Sequence, residues 1–159
     1  DINRIKAERQ WLKFCKKFNF IYNIIRLSGI YGPERENGFL KKYEIVDKKG
    51  HCFSRIHVLD AARIISEIIV SSATSNIWNL ADDLPSTRKD YLLEIAKLKQ
   101  IEHYKVVDYK IYLKNISKRS KKFWENNKKV SNQKLKRILN YEFIVPNYKR
   151  GLRSLKDYL

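Results

Sequence analysis

The chain has 159 residues, of which 43% are hydrophobic and 32% are charged. This length and composition suit one domain with a buried core and exclude a wholly disordered chain. No apolar run approaches the roughly 20 residues that a membrane-spanning helix needs, so we expect no membrane partner. The net charge of +17 permits a nucleic-acid partner. Frequent Lys, Ile, Asn and Tyr are also typical of the exposed positions that an AT-rich genome encodes, and we favour that explanation.

The cysteine content indicates a compartment. Cys15 and Cys52 have neither a disulfide framework nor metal-ligand spacing around them, which favours a reducing, cytoplasmic location. The first residues, DINRIKAERQ, are polar and helical in pattern, so we expect no signal peptide.

The first predicted element is a helix from Arg4 to Phe18. Ala7, Trp11, Phe14 and Phe18 recur at helical spacing on one face, and we expect that face to be buried.

An apolar strand and a loop are predicted next. Phe20 to Ser28 is apolar along most of its length, as expected of a parallel strand that is covered on both faces. The breakers Gly32, Pro33 and Gly38 predict a loop from Gly29 to about Lys42.

The middle of the chain repeats the alternation. Phe53 to Val58 is predicted to be extended, and Asp60 is expected to cap a helix that begins at Ala61. Asn76 to Ala81 is predicted as a further strand. The buried face of the helix is expected to contain Ala61, Ile64, Ile65, Ile68 and Ile69.

Another helix and strand follow. Thr87 and Asp90 have the spacing of a capping box, which predicts a helix that continues to about Lys99. Tyr104 to Tyr109 is predicted as one more strand. This order of elements indicates an α/β fold.

The last third of the chain is strongly basic. Phe123 and Trp124 stand among lysines between Lys118 and Lys129, a pattern that can bind single-stranded nucleic acid. Two rings do not make a stacking platform, so we favour packing of both rings back onto the domain. We expect a following helix to end at a left-handed Asn140, and a closing helix to begin at Tyr148.

Chemical motifs are scarce in these residues. The sequence contains no GxGxxG, no P-loop and no His/Cys cluster with metal spacing, so we expect no metal site. His51, His57 and His103 are scattered. For His57, which lies close to Asp60, we favour a bond to the backbone over a catalytic or ligand-binding role.

Four motifs together resemble a known family. They are RxxAExxW from Arg4, RLSGIYGP from Arg26, FSRIHVLDAA from Phe53 and NLADD from Asn79. In this order they resemble the C-terminal half of extended and atypical short-chain dehydrogenases/reductases, the NAD(P)-dependent epimerase/dehydratase-like proteins. The tail KKVSNQKLKRILNYEF, from Lys128, resembles one atypical bacterial branch.

The resemblance implies the C-terminal part of a Rossmann-like parallel sheet with flanking helices and a small substrate-side lobe. It implies that residues 1–159 form a single unit, and that Leu27, Ser28, Gly29 and Ile30 lie against the nicotinamide end of NAD or NADP. A close approach of the cofactor to the backbone would explain the glycine at position 29. The implied substrate-side residues are Tyr31, Arg55 and His57.

The chain also departs from the family pattern. The glycine-rich cofactor turn belongs to a half that would precede Asp1, and we expect that half to be encoded upstream as a partner. The catalytic tyrosine would also precede Asp1, and Arg4 stands at the position of its lysine; an arginine cannot act as a tunable lysine. The catalytic residues therefore remain unknown. Phe53 and Gly29 replace the Arg and Asn that are common in nucleotide-sugar members, which argues against such a substrate.

Three functions remain open. The first is the C-terminal part of a reductase- or epimerase-like enzyme that alone binds little NAD(P), does not turn over and has an exposed strand edge. The second is a small basic nucleic-acid-binding protein, which we favour less. The third is a remnant of a split gene without a function of its own.

Overall fold

The computed structural model describes residues 2–33, 35, 44–71, 75–114 and 116–154. The helices in these ranges are α1 Ile2–Lys17, α2 Val58–Ser71, α3 Arg88–Leu98, α4 Tyr109–Leu113, α5 Lys118–Glu125, α6 Gln133–Leu139 and α7 Tyr148–Ser154. The strands are β1 Asn23–Leu27, β2 Gly29–Tyr31, β3 Glu44–Asp47, β4 Arg55–His57, β5 Asn76–Leu80 and β6 Lys105–Asp108.

The strands form three parallel pairs, β1 with β5, β2 with β4, and β3 with β6. Arg26 lies opposite Asn79 in the first pair and Gly29 lies opposite Arg55 in the second. Parallel neighbours require a crossover connection, and α2 lies between β4 and β5 in the chain. The predicted α/β fold with parallel strands and flanking helices is confirmed.

Two apolar clusters form the core of the described residues. In one, Ile64 and Ile68 of α2 pack with Trp78 of β5 and Leu135 of α6. In the other, the last helix and α3 pack around β3. Its buried members are Tyr31, Ile45, Leu92, Ile95, Ala96, Val145, Tyr148 and Leu152.

The predicted loop from Gly29 to about Lys42 is wrong at its beginning, because β2 starts at Gly29. The sequence also failed to predict β3, which pairs with the expected strand β6. Both strands are very short, and their hydrogen-bond partners are distant in sequence, so local pattern carries little signal for them. Gly38 lies outside the described residues.

The predicted buried face of α1 is largely exposed. Trp11 is 64% exposed, Phe14 46% and Phe18 50%, whereas Cys15 is buried. An open groove separates part of the helix from the beginning of β1. The periodicity correctly predicted an apolar face, but within the described residues no element covers it.

The apolar strand β1 is shorter and less covered than predicted. It runs over Asn23–Leu27, its first three residues are half-buried, and Leu27 is 44% exposed. Burial on both faces is therefore wrong for the described chain, because Ile24 lines the open groove beside α1.

Asp60 is not an N-cap. The helix α2 begins earlier, at Val58, and places Asp60 in its first turn. The buried Asp60 carboxylate accepts hydrogen bonds from the Tyr141 hydroxyl (2.8 Å) and from the backbone N–H groups of Ile144 and Val145 (2.9 Å each). It therefore connects α2 to the segment before α7.

The rest of α2 follows the predicted pattern with one exception. Ala61, Ile64 and Ile68 are buried and Ile65 is partly buried, but Ile69 is 73% exposed. Residue 69 lies at the edge of the apolar stripe, where the neighbouring elements do not reach.

Two local predictions are confirmed. The Thr87 hydroxyl accepts a hydrogen bond from the Asp90 backbone N–H (2.9 Å) and begins α3. Asn140 ends α6 with a left-handed backbone, at φ 50°. Both signals depend on neighbouring residues only, which explains why they could be identified without the fold.

Candidate functional site: a cleft at the strand ends

A cleft with a volume of about 1100 Å³ opens at the carboxyl ends of β1 and β5. One wall, called the strand wall below, consists of residues 26–29 and Asn79. A second wall, called the lobe wall below, consists of residues 51–54 and 122–130 where they line the cleft. Its lining residues are His51, Phe53, Ser54, Lys122, Phe123, Asn126, Lys128 and Val130.

The strand wall contains three of the four residues that the resemblance assigns to the cofactor. Leu27, Ser28 and Gly29 line the cleft, whereas the half-buried Ile30 packs against a core cluster instead. The backbone here is firmly placed, because the Ser28 N–H donates to the Leu80 carbonyl (3.0 Å) and the Gly29 N–H donates to the Ser54 carbonyl (3.2 Å).

Nothing in the described chain requires glycine at position 29. A Cβ there would lie 3.6 Å from the Ser54 carbonyl oxygen and 3.8 Å from the nearest Arg55 carbon, which is ordinary contact. The explanation by a closely approaching ligand therefore stays a prediction, and Gly29→Ala is a substitution that the chain itself can accommodate.

The predicted substrate-side residues lie behind this wall. Tyr31, Arg55 and His57 are each 2% exposed and do not line the cleft. Their contact with a substrate stays a prediction; their observed contacts are within the protein.

Arg55 is held in an aromatic cage. Its guanidinium lies 3.7 Å from the Phe53 ring centroid and 4.0 Å from that of Tyr91. It donates to the Ser86 hydroxyl (2.6 Å) and to the Thr87 carbonyl (3.4 Å). Burial lowers the pKa of Arg55 to about 10. The side chain therefore positions Phe53, which does line the cleft.

A buried polar cluster connects the ends of β2, β4 and β5. His57 Nδ1 accepts from the Leu59 backbone N–H (3.3 Å), which agrees with the predicted backbone role. The Tyr31 hydroxyl, His57 Nε2 and Asp82 Oδ2 are buried without a well-formed hydrogen bond among the described residues. The Tyr31 and His57 rings meet edge to face with centroids 5.1 Å apart.

Desolvation dominates the electrostatics of this cluster. Burial raises the pKa of Asp82 to about 7, against the opposing effects of the Leu84 N–H and the Arg55 guanidinium. Burial likewise raises the pKa of Tyr31 and lowers that of His57. Asp82 belongs to the NLADD motif but was not selected from the sequence, since its burial depends on residues far along the chain.

The lobe wall was also missed by the sequence. His51 had no special pattern around it, and the lysines of the wall were counted as part of a basic segment. Trp124 is buried, as predicted, but Phe123 is 44% exposed and faces the cleft. Only the Phe123 ring of this pair is therefore accessible to a ligand.

Arg4, at the family's lysine position, is exposed on α1 and does not line the cleft. Ile2 and Asn3 of the same helix do line it. At the rim, Arg26 and Glu8 form an ion pair that lowers the pKa of Glu8 and raises that of Arg26. The charge of Arg26 is thus matched within the protein.

The described ranges contain neither a metal-binding cluster nor a membrane-spanning helix. No group of three or more His, Cys, Asp or Glu side chains is placed to hold a metal ion in this part of the chain. No helix among the same residues is long and apolar enough to cross a membrane.

The similarities of this chain to known proteins are to solved structures. No family model matches the sequence, and no curated protein matches it. The chain is similar to a conserved protein of unknown function from Silicibacter pomeroyi, with a TM-score of 0.87 and 30% identity over 97% of this chain and 53% of that chain.

Two enzymes have the same fold at lower identity. UDP-glucose 4-epimerase from Thermotoga maritima, with UDP-glucose, has a TM-score of 0.77 and 14% identity over 99% of this chain and 52% of that chain. dTDP-glucose 4,6-dehydratase from Bacillus anthracis, in complex with NAD, has a TM-score of 0.74 and 15% identity over 96% of this chain and 49% of that chain.

The chain thus spans about half the length of each of these structures. The parallel strand pairs with flanking helices agree with this similarity. The family resemblance is confirmed at the level of the fold: the chain has the Rossmann-like α/β fold of about half of an NAD(P)-dependent epimerase/dehydratase or short-chain dehydrogenase/reductase structure.

Proposed function

We propose that the chain supplies the nicotinamide-facing strand ends and the substrate-side lobe of an NAD(P)-dependent epimerase/dehydratase-like enzyme. The observation that carries this proposal is the position of Leu27, Ser28 and Gly29 on the wall of the large cleft. In open α/β sheets ligands bind outside the carboxyl ends of the strands, and both β1 and β5 end at this cleft. We propose a cytoplasmic location as well, on the basis of two unpaired cysteines.

The strand wall suits the flat nicotinamide end of a dinucleotide. Gly29 presents backbone without a side chain, and the hydrogen bonds of residues 28 and 29 hold that backbone in place. When bound, the cofactor would supply hydride transfer. Leu27, Ser28 and Gly29 would orient the ring, and the lobe wall would face the substrate.

The pyrophosphate site would come from a second segment. Residues 1–159 contain no glycine-rich turn that could hold a pyrophosphate at a helix N-terminus. We therefore propose that the chain alone binds NAD or NADP weakly and does not turn over, and that its partner is a glycine-rich half encoded upstream. The exposed apolar face of α1 and the incomplete burial of β1 support such a partner.

The first test is to sequence the coding DNA upstream of the Asp1 codon. An in-frame glycine-rich βα segment would support the proposal. Stop codons or a frameshift there would contradict it and favour the remnant of a split gene.

The second test is binding. Thermal melting of the 159-residue chain with millimolar NAD or NADP should give no shift, and a saturable shift would contradict the proposed inactivity of the isolated chain. The protein joined to its upstream half should bind NAD(P)H, measured by nicotinamide fluorescence.

The matched variant is Gly29→Ala in the joined protein. The added methyl group fits within this chain but would meet the approaching ring, so dinucleotide affinity should fall by about tenfold or more while the melting temperature stays unchanged. Unchanged affinity would refute the placement of the nicotinamide against Gly29.

A further inference from the structure

The lobe wall of the cleft has an unbalanced positive charge. Of the described residues that line the cleft, Arg26, Lys122 and Lys128 are basic and none is acidic. Arg26 is already paired with Glu8. Within the described chain, Lys122 and Lys128 have no acidic partner, so their charges are available to a ligand.

This wall is rigid, although its two segments are far apart in sequence. The Lys128 N–H donates to the Cys52 carbonyl and the Ser54 N–H donates to the Lys128 carbonyl, both at 2.8 Å. The Asn127 side chain adds two hydrogen bonds: its Oδ1 accepts from the Cys52 N–H (2.7 Å), and its Nδ2 donates to the Gly50 carbonyl (2.8 Å). The Lys128 side chain therefore projects from a backbone that is bonded on both sides to residues 52–54.

His51 is a buried polar side chain at this wall. It is 2% exposed, lines the cleft, and neither ring nitrogen has a well-formed hydrogen bond to the described residues. The Phe123 and Asn126 carbonyls lie close enough to favour its protonated form. Burial, followed by the charge of Lys48, outweighs them and lowers the pKa of His51. A buried imidazole that lacks partners is destabilising unless a ligand supplies one.

Two phenyl rings border the same place. Phe53 and Phe123 meet edge to face with centroids 5.6 Å apart, and the His51 ring contacts both. Arg55 covers one face of Phe53 at 3.7 Å and holds it in position. An apolar border in a cleft that is also lined by two lysines without acidic partners suits a compact ligand with one charged end.

We propose that the lobe wall is a subsite for a small oxyanion, the carboxylate or phosphate group of the substrate. Lys122 and Lys128 supply the charge, His51 supplies a hydrogen bond, and Phe53 and Phe123 contact the apolar part. The inference rests on the proposed function only in assigning the anion to a substrate; the subsite itself consists of residues of this chain.

The test titrates inorganic phosphate and acetate into the 159-residue chain at constant ionic strength, with chloride as the balancing ion. Binding is followed by the NMR resonances of the His51 ring. We expect a saturable shift for at least one of the two anions. The stronger binder distinguishes a phosphate from a carboxylate substrate.

The variants distinguish anion binding at a specific site from non-specific attraction by the net charge of +17. Lys122→Gln with Lys128→Gln should weaken binding by about tenfold or more, because two charged hydrogen-bond donors are removed while the backbone bonds of residue 128 remain. The control Lys149→Gln removes one charge from an exposed position on α7, outside the cleft, and should change binding by less than about twofold.

Absence of a saturable shift, or an equal loss in Lys149→Gln and the double variant, would overturn the inference. No dinucleotide is used in this test, so its failure leaves the proposed NAD(P) function untouched. Conversely, a Gly29→Ala variant that retains dinucleotide affinity would refute the cofactor placement without affecting the anion subsite.

Discussion

Replacement of Asp82 by asparagine should stabilise the protein above about pH 7. The Asp82 carboxyl is 2% exposed; its Oδ1 accepts from the Leu84 N–H (3.2 Å), and its Oδ2 has no well-formed partner among the described residues. Burial raises its pKa from 3.8 to about 7. The amide side chain introduced by Asp82→Asn would keep the Oδ1 acceptor without the charge.

The direction of the change in stability with pH follows from the number of protons bound in the folded and unfolded states. Between pH 4 and 7 the folded state holds a proton on Asp82 that the unfolded state has released, so the wild-type protein loses stability as the pH rises through this window. A shift of about three pKa units corresponds to about 4 kcal/mol at most, at about 1.4 kcal/mol per unit. We expect Asp82→Asn to gain about 2 to 4 kcal/mol at pH 8 and nothing near pH 4.

The assay is urea unfolding at a series of pH values, followed by the fluorescence of the buried Trp78 and Trp124. Asp83→Asn is the matched control, since Asp83 is the exposed neighbour that pairs with Lys136, and it should change stability by less than about 1 kcal/mol. Parallel pH curves for wild type and Asp82→Asn, or equal stability at pH 8, would refute the argument.

Two further substitutions test the contacts that close the fold. Asp60→Ala leaves the Tyr141 hydroxyl and the Val145 N–H buried without an acceptor and the Ile144 N–H partly buried without one. It should therefore cost about 3 kcal/mol or more in urea unfolding, and a loss below about 1 kcal/mol would contradict the role of Asp60 as a connection. Gly151→Ala places a Cβ 2.6 Å from the Tyr31 ring and should destabilise by about 1 to 3 kcal/mol. A melting temperature equal to that of the wild type would show that Tyr31 is free to move.

The residues predicted for the cofactor side and for the substrate side lie at different depths relative to the cleft. The cofactor-side residues Leu27, Ser28 and Gly29 line the cleft. Arg55 does not line it, but its guanidinium packs on Phe53, which does. Tyr31 and His57 lie deeper, in the cluster with Asp82. The buried residues therefore shape the walls that a ligand would meet, and their substitution should disturb the site through stability as much as through contact.

Features that depend only on neighbouring residues were predictable from the sequence. The Thr87 cap, the left-handed Asn140 and the alternation of helices and strands could all be predicted, because capping bonds and side-chain periodicity act within a few residues. The four short motifs also predicted the fold family, although none of them is specific alone.

The contacts between distant surfaces became visible in the tertiary structure. It made Asp60 the hydrogen-bond acceptor of Tyr141 rather than the N-cap of α2, left the apolar face of α1 uncovered, and joined residues 50–54 to residues 126–130 in one wall of the cleft. Each of these results depends on contacts between segments that are distant in sequence. Local propensity does not predict such contacts. The sequence therefore could not show that His51, Lys122 and Lys128 line one wall of the same cleft.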